Sequence, residues 1–319
     1  MNSRFWYRLL ESCARVTGPW LLTAFARLVA VGYFFFSPRK EAGLRFYGRL
    51  FPERSAAGRQ LAVFLQYQRF TTIHSDRFRA RCHNIDFTTE GLEQLKGCLQ
   101  ARGAVLLMSH LGNWEMAARL LPQALPELKL LLFMGEKQRE GVEAAQKAAL
   151  RADGVRVLAA AAADNNPALA VEGIRFLESG GVVSMPGDVL LKPEQRHFTV
   201  RFLDGRARIP AAPFVMAWLA GAPVFAFFAF RTGRGSYHFT LSAPLLAPAG
   251  PQGKRQNRAL ALQEAAEHYA ALLEQALRSH PADWFHFDHF VADDGEKLSD
   301  HETHEQPTQI GRASCRERV

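Results

Sequence analysis

The chain has 319 residues, 48% of them hydrophobic and 24 of them Phe, with a formal net charge of +8. That much apolar material excludes a disordered chain and suffices for a large core, in one big domain or two small ones. The positive balance suits anionic partners such as phospholipid headgroups or phosphorylated carriers, but no basic tract interleaved with stacking aromatics marks a nucleic-acid module.

Met1 to Arg15 sets Arg4, Arg8 and Arg15 among Phe5, Trp6, Tyr7, Leu9 and Leu10, a mix suited to a membrane surface. Trp20 to Phe36 is almost wholly apolar, with Arg27 its single charge. It falls short of the roughly 20 apolar residues of a spanning helix, and a central Arg is costly inside a bilayer. It also lacks a small-residue cleavage site, so it is not read as a secretory signal. The reading favoured is a membrane-embedded or surface-lying helix; a core helix of a soluble enzyme is the alternative. Arg39, Lys40, Arg45 and Arg49 lie just beyond.

Helical spacing of Leu61, Phe64, Leu65 and Ile73 predicts a helix over Arg54 to Arg81, and a second amphipathic helix is expected over Thr89 to Arg102. Apolar strands are expected at Ala104 to Met108, Glu127 to Met134, Val155 to Ala159 and Val182 to Met185. Helices at Trp114 to Leu121, Glu136 to Arg151 and Asn166 to Glu178 lie between them. This alternation predicts an α/β fold with a mostly parallel central sheet flanked by helices. His197 to Phe202 and the Asp204-Gly205 turn suggest a hairpin addition. A helix at Ala212 to Leu219, strands at Val224 to Phe230 and Tyr237 to Leu241, and a long helix at Arg255 to Arg278 complete the pattern. Asp293 to Gln309 is charged and poor in apolar residues, hence expected to be disordered. Gly311 to Val319 (GRASCRERV) resembles translated adaptor sequence and is set aside. Cys13, Cys82, Cys98 and Cys315 show no C-x-x-C spacing and read as free thiols in a reducing compartment.

The chemistry concentrates in AVLLMSHLGNWEMAARLL, Ala104 to Leu121. A strand ends at His110, Gly112 and Asn113 turn the chain, and a helix starts with Asn113 as N-cap and Glu115 in its first turn. On one continuous helix His110 and Glu115 would stand about 140° apart; across a strand-turn-helix corner they can converge. A His held by a carboxylate is a general base, because the carboxylate fixes its tautomer and stabilises the imidazolium. The plain alternative is a solvated turn His beside a Glu that merely favours the helix dipole.

Rival chemistries lack their parts. The chain has no G-x-S-x-G elbow, no H-E-x-x-H or Cys/His cluster, no phosphate-binding P-loop and no G-x-G-x-x-G. Neither a metal nor a cofactor is therefore expected. Ser109 adjoins His110 but points to the opposite face of the strand, which makes it a poor nucleophile for that base.

SHLGNWE resembles the His-x4-Asp/Glu motif of the bacterial lipid A lauroyl/myristoyl acyltransferase family, within the wider glycerolipid acyltransferase superfamily. The aromatic, basic N-terminus, GDVLLKP at Gly187 to Pro193, Phe202 to Phe228 and WFHFDHF at Trp284 to Phe290 follow in matching order, covering roughly residues 4 to 290. The resemblance implies transfer of an acyl chain from an acyl carrier protein or acyl-CoA to a hydroxyl of a membrane glycolipid, at the cytoplasmic face of the inner membrane. The chain is expected to divide into a membrane-associating N-terminal segment (1–50), an acyltransferase domain (51–292) and a disordered tail (293–319) with a non-native end. The resemblance also implies that Asp188, at a strand exit, lines the active-site groove; a turn Asp capping Gly187 is the alternative.

The expected mechanism is direct. His110 takes the acceptor proton, the alkoxide attacks the thioester, and Glu115 orients His110, with no acyl-enzyme. Backbone N–H groups at the Asn113 helix start could stabilise the oxyanion. Candidate substrate contacts are Asn113 (also the helix cap), Glu136 and Lys137 after the second strand, and the basic hairpin residues Arg201, Arg206 and Arg208, with Lys192 and Arg196 nearby. Arg and Lys there suit a phosphate of carrier or acceptor, or are simply a solvated basic face. The Gly-Asn-Trp run within the motif leaves the acceptor open: a glycolipid, a lipidated polyketide such as an aryl polyene, or another lipid. A lysophospholipid acyltransferase and a non-catalytic lipid-binding protein are the competing readings.

Overall fold

The computed structural model describes residues 19–82, 84–136, 147–148, 150–152, 154–161, 167–190, 194–247 and 255–285. The readings for Met1 to Arg15, most of the expected helix at Glu136 to Arg151, Lys192 and the tail from Asp293 lie outside them. Three helices come first: α1 (Pro19–Phe36), α2 (Arg39–Leu50) and α3 (Ala56–Cys82). Next come β1 (Asp86–Glu90), α4 (Glu93–Leu99), β2 (Ala104–Met108), α5 (Trp114–Ala124), β3 (Leu130–Glu136), β4 (Arg156–Ala161), α6 (Pro167–Glu178) and β5 (Val182–Pro186). The chain continues through β6 (His197–Phe202), β7 (Gly205–Pro210), α7 (Ala212–Ala220), β8 (Val224–Gly233), β9 (Ser236–Leu241) and α8 (Arg255–Ser279), ending in a 3-10 turn at Pro281–Asp283.

A seven-stranded sheet runs in the order β1-β9-β8-β2-β5-β3-β4. Among the described residues its one antiparallel pair is β8 with β9; the other neighbours are parallel. The mostly parallel α/β sheet is thus present. β2 lies in the middle and is buried on both faces, which is why it reads as an unbroken apolar run. Val105 and Leu107 enter a core under α2, α3, α7 and α8. Ala104 and Leu106 enter the opposite core, under α4 and α5. Truncating any of these leucines to Ala would open a cavity costing about 2–5 kcal/mol.

Two elements differ from expectation. Thr89 does not begin a helix: Asp86–Glu90 pairs in parallel with β9 as an edge strand, and the helix is confined to Glu93–Leu99. An edge strand with little burial carries β-branched threonines but no apolar run. The basic stretch after Phe36 is helical as well. Gly43, Phe46, Tyr47 and Leu50 are its buried stripe, at i, i+3, i+4 and i+7. The β6–β7 hairpin forms its own two-stranded sheet, with Phe202 opposite Gly205 and the turn at Leu203 and Asp204.

No helix among the described residues is long and apolar enough to cross a membrane, so a spanning N-terminal helix is not present there. α1 packs one face on α3. Ala30 and Phe34 are buried, and the Phe34 ring meets Phe64 edge-on at 5.5 Å.

Candidate active site

β2 and β5 lie side by side with Met108 opposite Pro186, so both chains leave the sheet at the same point. That juxtaposition makes the site. Gly187 N–H donates to the Met108 carbonyl at 2.7 Å and holds the two exits together. A Cβ on Gly187 would come within 2.5 Å of the Tyr269 ring, so only glycine lets α8 close over this point.

One residue further on, Asp188 reaches His110 with both oxygens. The backbone N–H of His110 donates to Oδ2 at 2.7 Å, and His110 Nδ1 lies 3.0 Å from Oδ1. The Trp284 indole N–H also donates to Oδ2, at 2.8 Å. Asp188 is 1% exposed and Trp284 fully buried. Burial alone would raise the Asp188 pKa. The His110 charge, the hydrogen bonds from the His110 ring and Trp284, and the His110 backbone N–H outweigh it and hold the carboxyl below the ordinary range. An ionised Asp188 accepts the Nδ1 proton, which leaves Nε2 as the basic nitrogen of neutral His110.

The turn after His110 is fixed by the backbone. Ser109 Oγ accepts from Leu111 N–H at 3.1 Å, so its hydroxyl serves the turn. Gly112 has φ +87°, and a Cβ there would meet the Ala229 carbonyl at 2.3 Å. Gly112 N–H donates to the Asp283 carbonyl and Asn113 N–H to Ala229, both at 2.8 Å. These two amides are therefore engaged, which removes the Asn113 N–H as an oxyanion donor.

Asn113 caps α5 as expected, its Oδ1 accepting from Met116 N–H at 3.2 Å. Its Nδ2 donates to the Tyr237 hydroxyl at 2.9 Å. Tyr237 in turn donates to Asp76 Oδ2 at 2.7 Å, and Arg231 Nε donates to the same oxygen at 2.6 Å. Burial, then the neighbouring Asp76 charge, pushes the Tyr237 phenol far up and keeps it a donor.

Glu115, the orienting carboxylate of the sequence reading, is buried in the first turn of α5, with Arg119 Nη2 at 3.6 Å. The carboxylate on His110 Nδ1 is Asp188. Sequence reasoning placed Asp188 in the groove and missed this bond. It missed the Trp284 donor entirely, since nothing in WFHFDHF distinguishes one indole N–H as a carboxylate ligand.

Of the basic hairpin residues, Arg201 stands opposite Arg206, both exposed, and Arg208 is half-buried opposite Thr199. Glu136 is the last residue of β3, and Lys137 lies outside the described residues. A small apolar hollow of about 40 Å³ opens between Met185, Pro186 and Val189 on one side and Phe133 and Met134 on the other, flanking Asp188. Among the described residues no group of three His, Cys, Asp or Glu side chains is placed to hold a metal ion.

A base-competent His at a strand exit beside an apolar hollow suits acyl transfer to a hydroxyl. The family model described as bacterial lipid A biosynthesis acyltransferase matches residues 19–289. No curated protein matches the chain. Most of its length lies within that match, and the chain belongs to the bacterial lipid A biosynthesis acyltransferase family, whose members are acyltransferases that act on lipid.

Proposed function

We propose that this acyltransferase moves a fatty acyl chain from an acyl thioester, carried by acyl carrier protein or CoA, to a hydroxyl of a glycolipid or related lipid. It would act at the cytoplasmic face of the inner membrane. The observation that carries the mechanism is the His110–Asp188 pair, with Nδ1 engaged by a buried, ionised carboxylate. Nε2 takes the acceptor proton as the oxygen attacks the thioester carbonyl. The tetrahedral adduct collapses, the C–S bond breaks, and the thiolate recovers the proton from the imidazolium. Asp188 holds the ring and stabilises its cationic form. Glu115, five residues on, is buried in the first turn of α5 with Arg119 beside it. The acyl chain would enter along the apolar hollow beside Val189.

Membrane attachment is supported by α1. An apolar helix normally hides all its faces, yet Trp20, Phe25, Leu28, Phe35 and Phe36 are exposed. A surface-lying helix buries such a face in lipid while its cationic residues meet headgroups.

The deciding experiment is turnover of purified His110→Ala in detergent with an acyl thioester and a lipid hydroxyl acceptor. General-base loss is worth about 10²–10⁴ in rate. Turnover near the wild-type value would sink the assignment.

A further inference from the structure

Away from the His110 corner a second cavity, of about 420 Å³, lies between α1, α3 and the β8–β9 turn. Four arginines line it: Arg27 from α1, Arg79 from α3, Arg231 from β8 and Arg234 from the turn. The lining holds one carboxylate, Asp76, and its Oδ2 is already shared between Arg231 and the Tyr237 hydroxyl. Arg79 Nε is buried without a hydrogen-bond partner. Like charges gathered around one recess repel, and a buried guanidinium N–H without an acceptor forfeits a hydrogen bond. An anion in the recess would offset the repulsion and offer the guanidinium groups an acceptor. A phosphate matches planar guanidinium forks better than a single carboxylate does. Trp20 stands at the rim, 61% exposed, at the start of the open apolar face of α1. An apolar, tryptophan-bearing rim above a cationic recess is the arrangement of a bilayer headgroup level.

We infer that this cavity binds the phosphate of an anionic phospholipid headgroup, with the acyl chains lying along α1. The site is separate from the reacting centre: Asp76 and Tyr237, both buried, stand between the arginines and Asn113. A bound headgroup would fix which side of the enzyme meets the bilayer, beyond the general attraction of a basic surface. The inference rests on the membrane-surface part of the proposed function and not on the acyl-transfer chemistry.

The test uses the intact protein in dodecyl maltoside, titrated with phosphatidylglycerol and observed by native mass spectrometry. One tightly retained phosphatidylglycerol is expected, with diacylglycerol of the same chains not retained. Arg79→Gln and Arg234→Glu should each weaken retention roughly tenfold or more, as loss of a charge-assisted contact does. Arg234 is exposed on a turn, so its variant reports on the site without endangering the core. Unchanged affinity in both variants would overturn the proposal. So would equal retention of diacylglycerol, which would make the chains alone responsible, or inorganic phosphate competing at the same concentration as the lipid, which would make this a free-anion site. Turnover plays no part in the readout, so failure of lipid retention and failure of the acyltransferase mechanism are separately visible.

Discussion

Around His110, charge is buried and bonded. Asp188 is 1% exposed, yet accepts three hydrogen bonds from His110 and Trp284. On α1, apolar side chains lie in the open, with Leu28 68% and Phe36 88% exposed. Each region departs from ordinary sorting. A buried carboxylate costs several kcal/mol unless paired, and each large apolar residue left in water forgoes about 1.5–3 kcal/mol. The first departure is compensated inside the chain. The second has no such compensation among the described residues, which is why one region reads as chemistry and the other as a candidate contact surface.

The strongest test of the buried side is Asp188→Asn. The amide keeps the shape but can present its NH2 to Nδ1 and so favour the wrong tautomer, and a rate loss of about 10³–10⁴ is expected with KM little changed. The same variant tests the linkage. The Asp188 pKa is lowered in the folded state, so its stabilisation is full above the unfolded value near 3.9 and fades as pH falls through the folded value. Denaturant midpoints of wild type should therefore drop more steeply below pH 4 than those of Asp188→Asn. Parallel curves would mean that Asp188 gains nothing from its charge.

Trp284→Phe removes one donor while keeping an aromatic ring. It should cost about 1.5–3 kcal/mol in unfolding free energy, because the lost bond was to a charge, with a rate loss smaller than that of Asp188→Asn. On the exposed side, Leu28→Glu together with Phe36→Glu should shift the protein from membranes to the soluble fraction at moderate salt and leave the melting temperature near wild type. Wild type should stay with membranes through a high-salt wash, since apolar attachment is not screened. Wild type recovered quantitatively in the soluble fraction at low salt would break the comparison.

The smallest effect concerns His280, half-buried and stacked on Phe230 at 3.8 Å. Burial lowers its pKa, against the pull of Asp283 and with help from Arg69 and His238. The unfolded chain then takes up this proton first as pH falls below about 6.5, so folded stability declines there. His280→Gln should show a slightly shallower fall in melting temperature between pH 7 and 5.5.

Local rules carried the strand-turn-helix corner, because β2, Gly112, Asn113 and α5 are contiguous and their roles follow from backbone sterics and capping. The partnership of His110 with Asp188 spans 78 residues. It depends on β5 lying beside β2 although β3 and β4 come between them in the chain. Crossover order is not written in any local pattern, so local spacing selects Glu115, the carboxylate nearer in sequence. The α2 stripe at Gly43, Phe46, Tyr47 and Leu50 has helical spacing, but it is interleaved with basic residues that obscure it. The edge strand β1 has little burial and no apolar run, and its identity rests on pairing with β9, which no local pattern shows.

Trp284 also has a consequence in time. A ribosome makes residue 110 long before residue 284, and N-terminal parts of a chain can fold while the rest is still being made. His110 and Asp188 could meet on the nascent chain. The indole that steadies Asp188, the Asp283 carbonyl that takes the Gly112 amide and the Pro281 carbonyl that accepts from Tyr47 arrive together at the end. During synthesis the centre would be one with its carboxylate short of a donor and its turn unpinned, and a full-strength base would appear only when this late segment docks. A chain stopped before Pro281 would thus carry every proton-transfer residue and still lack the clamp that makes them act together.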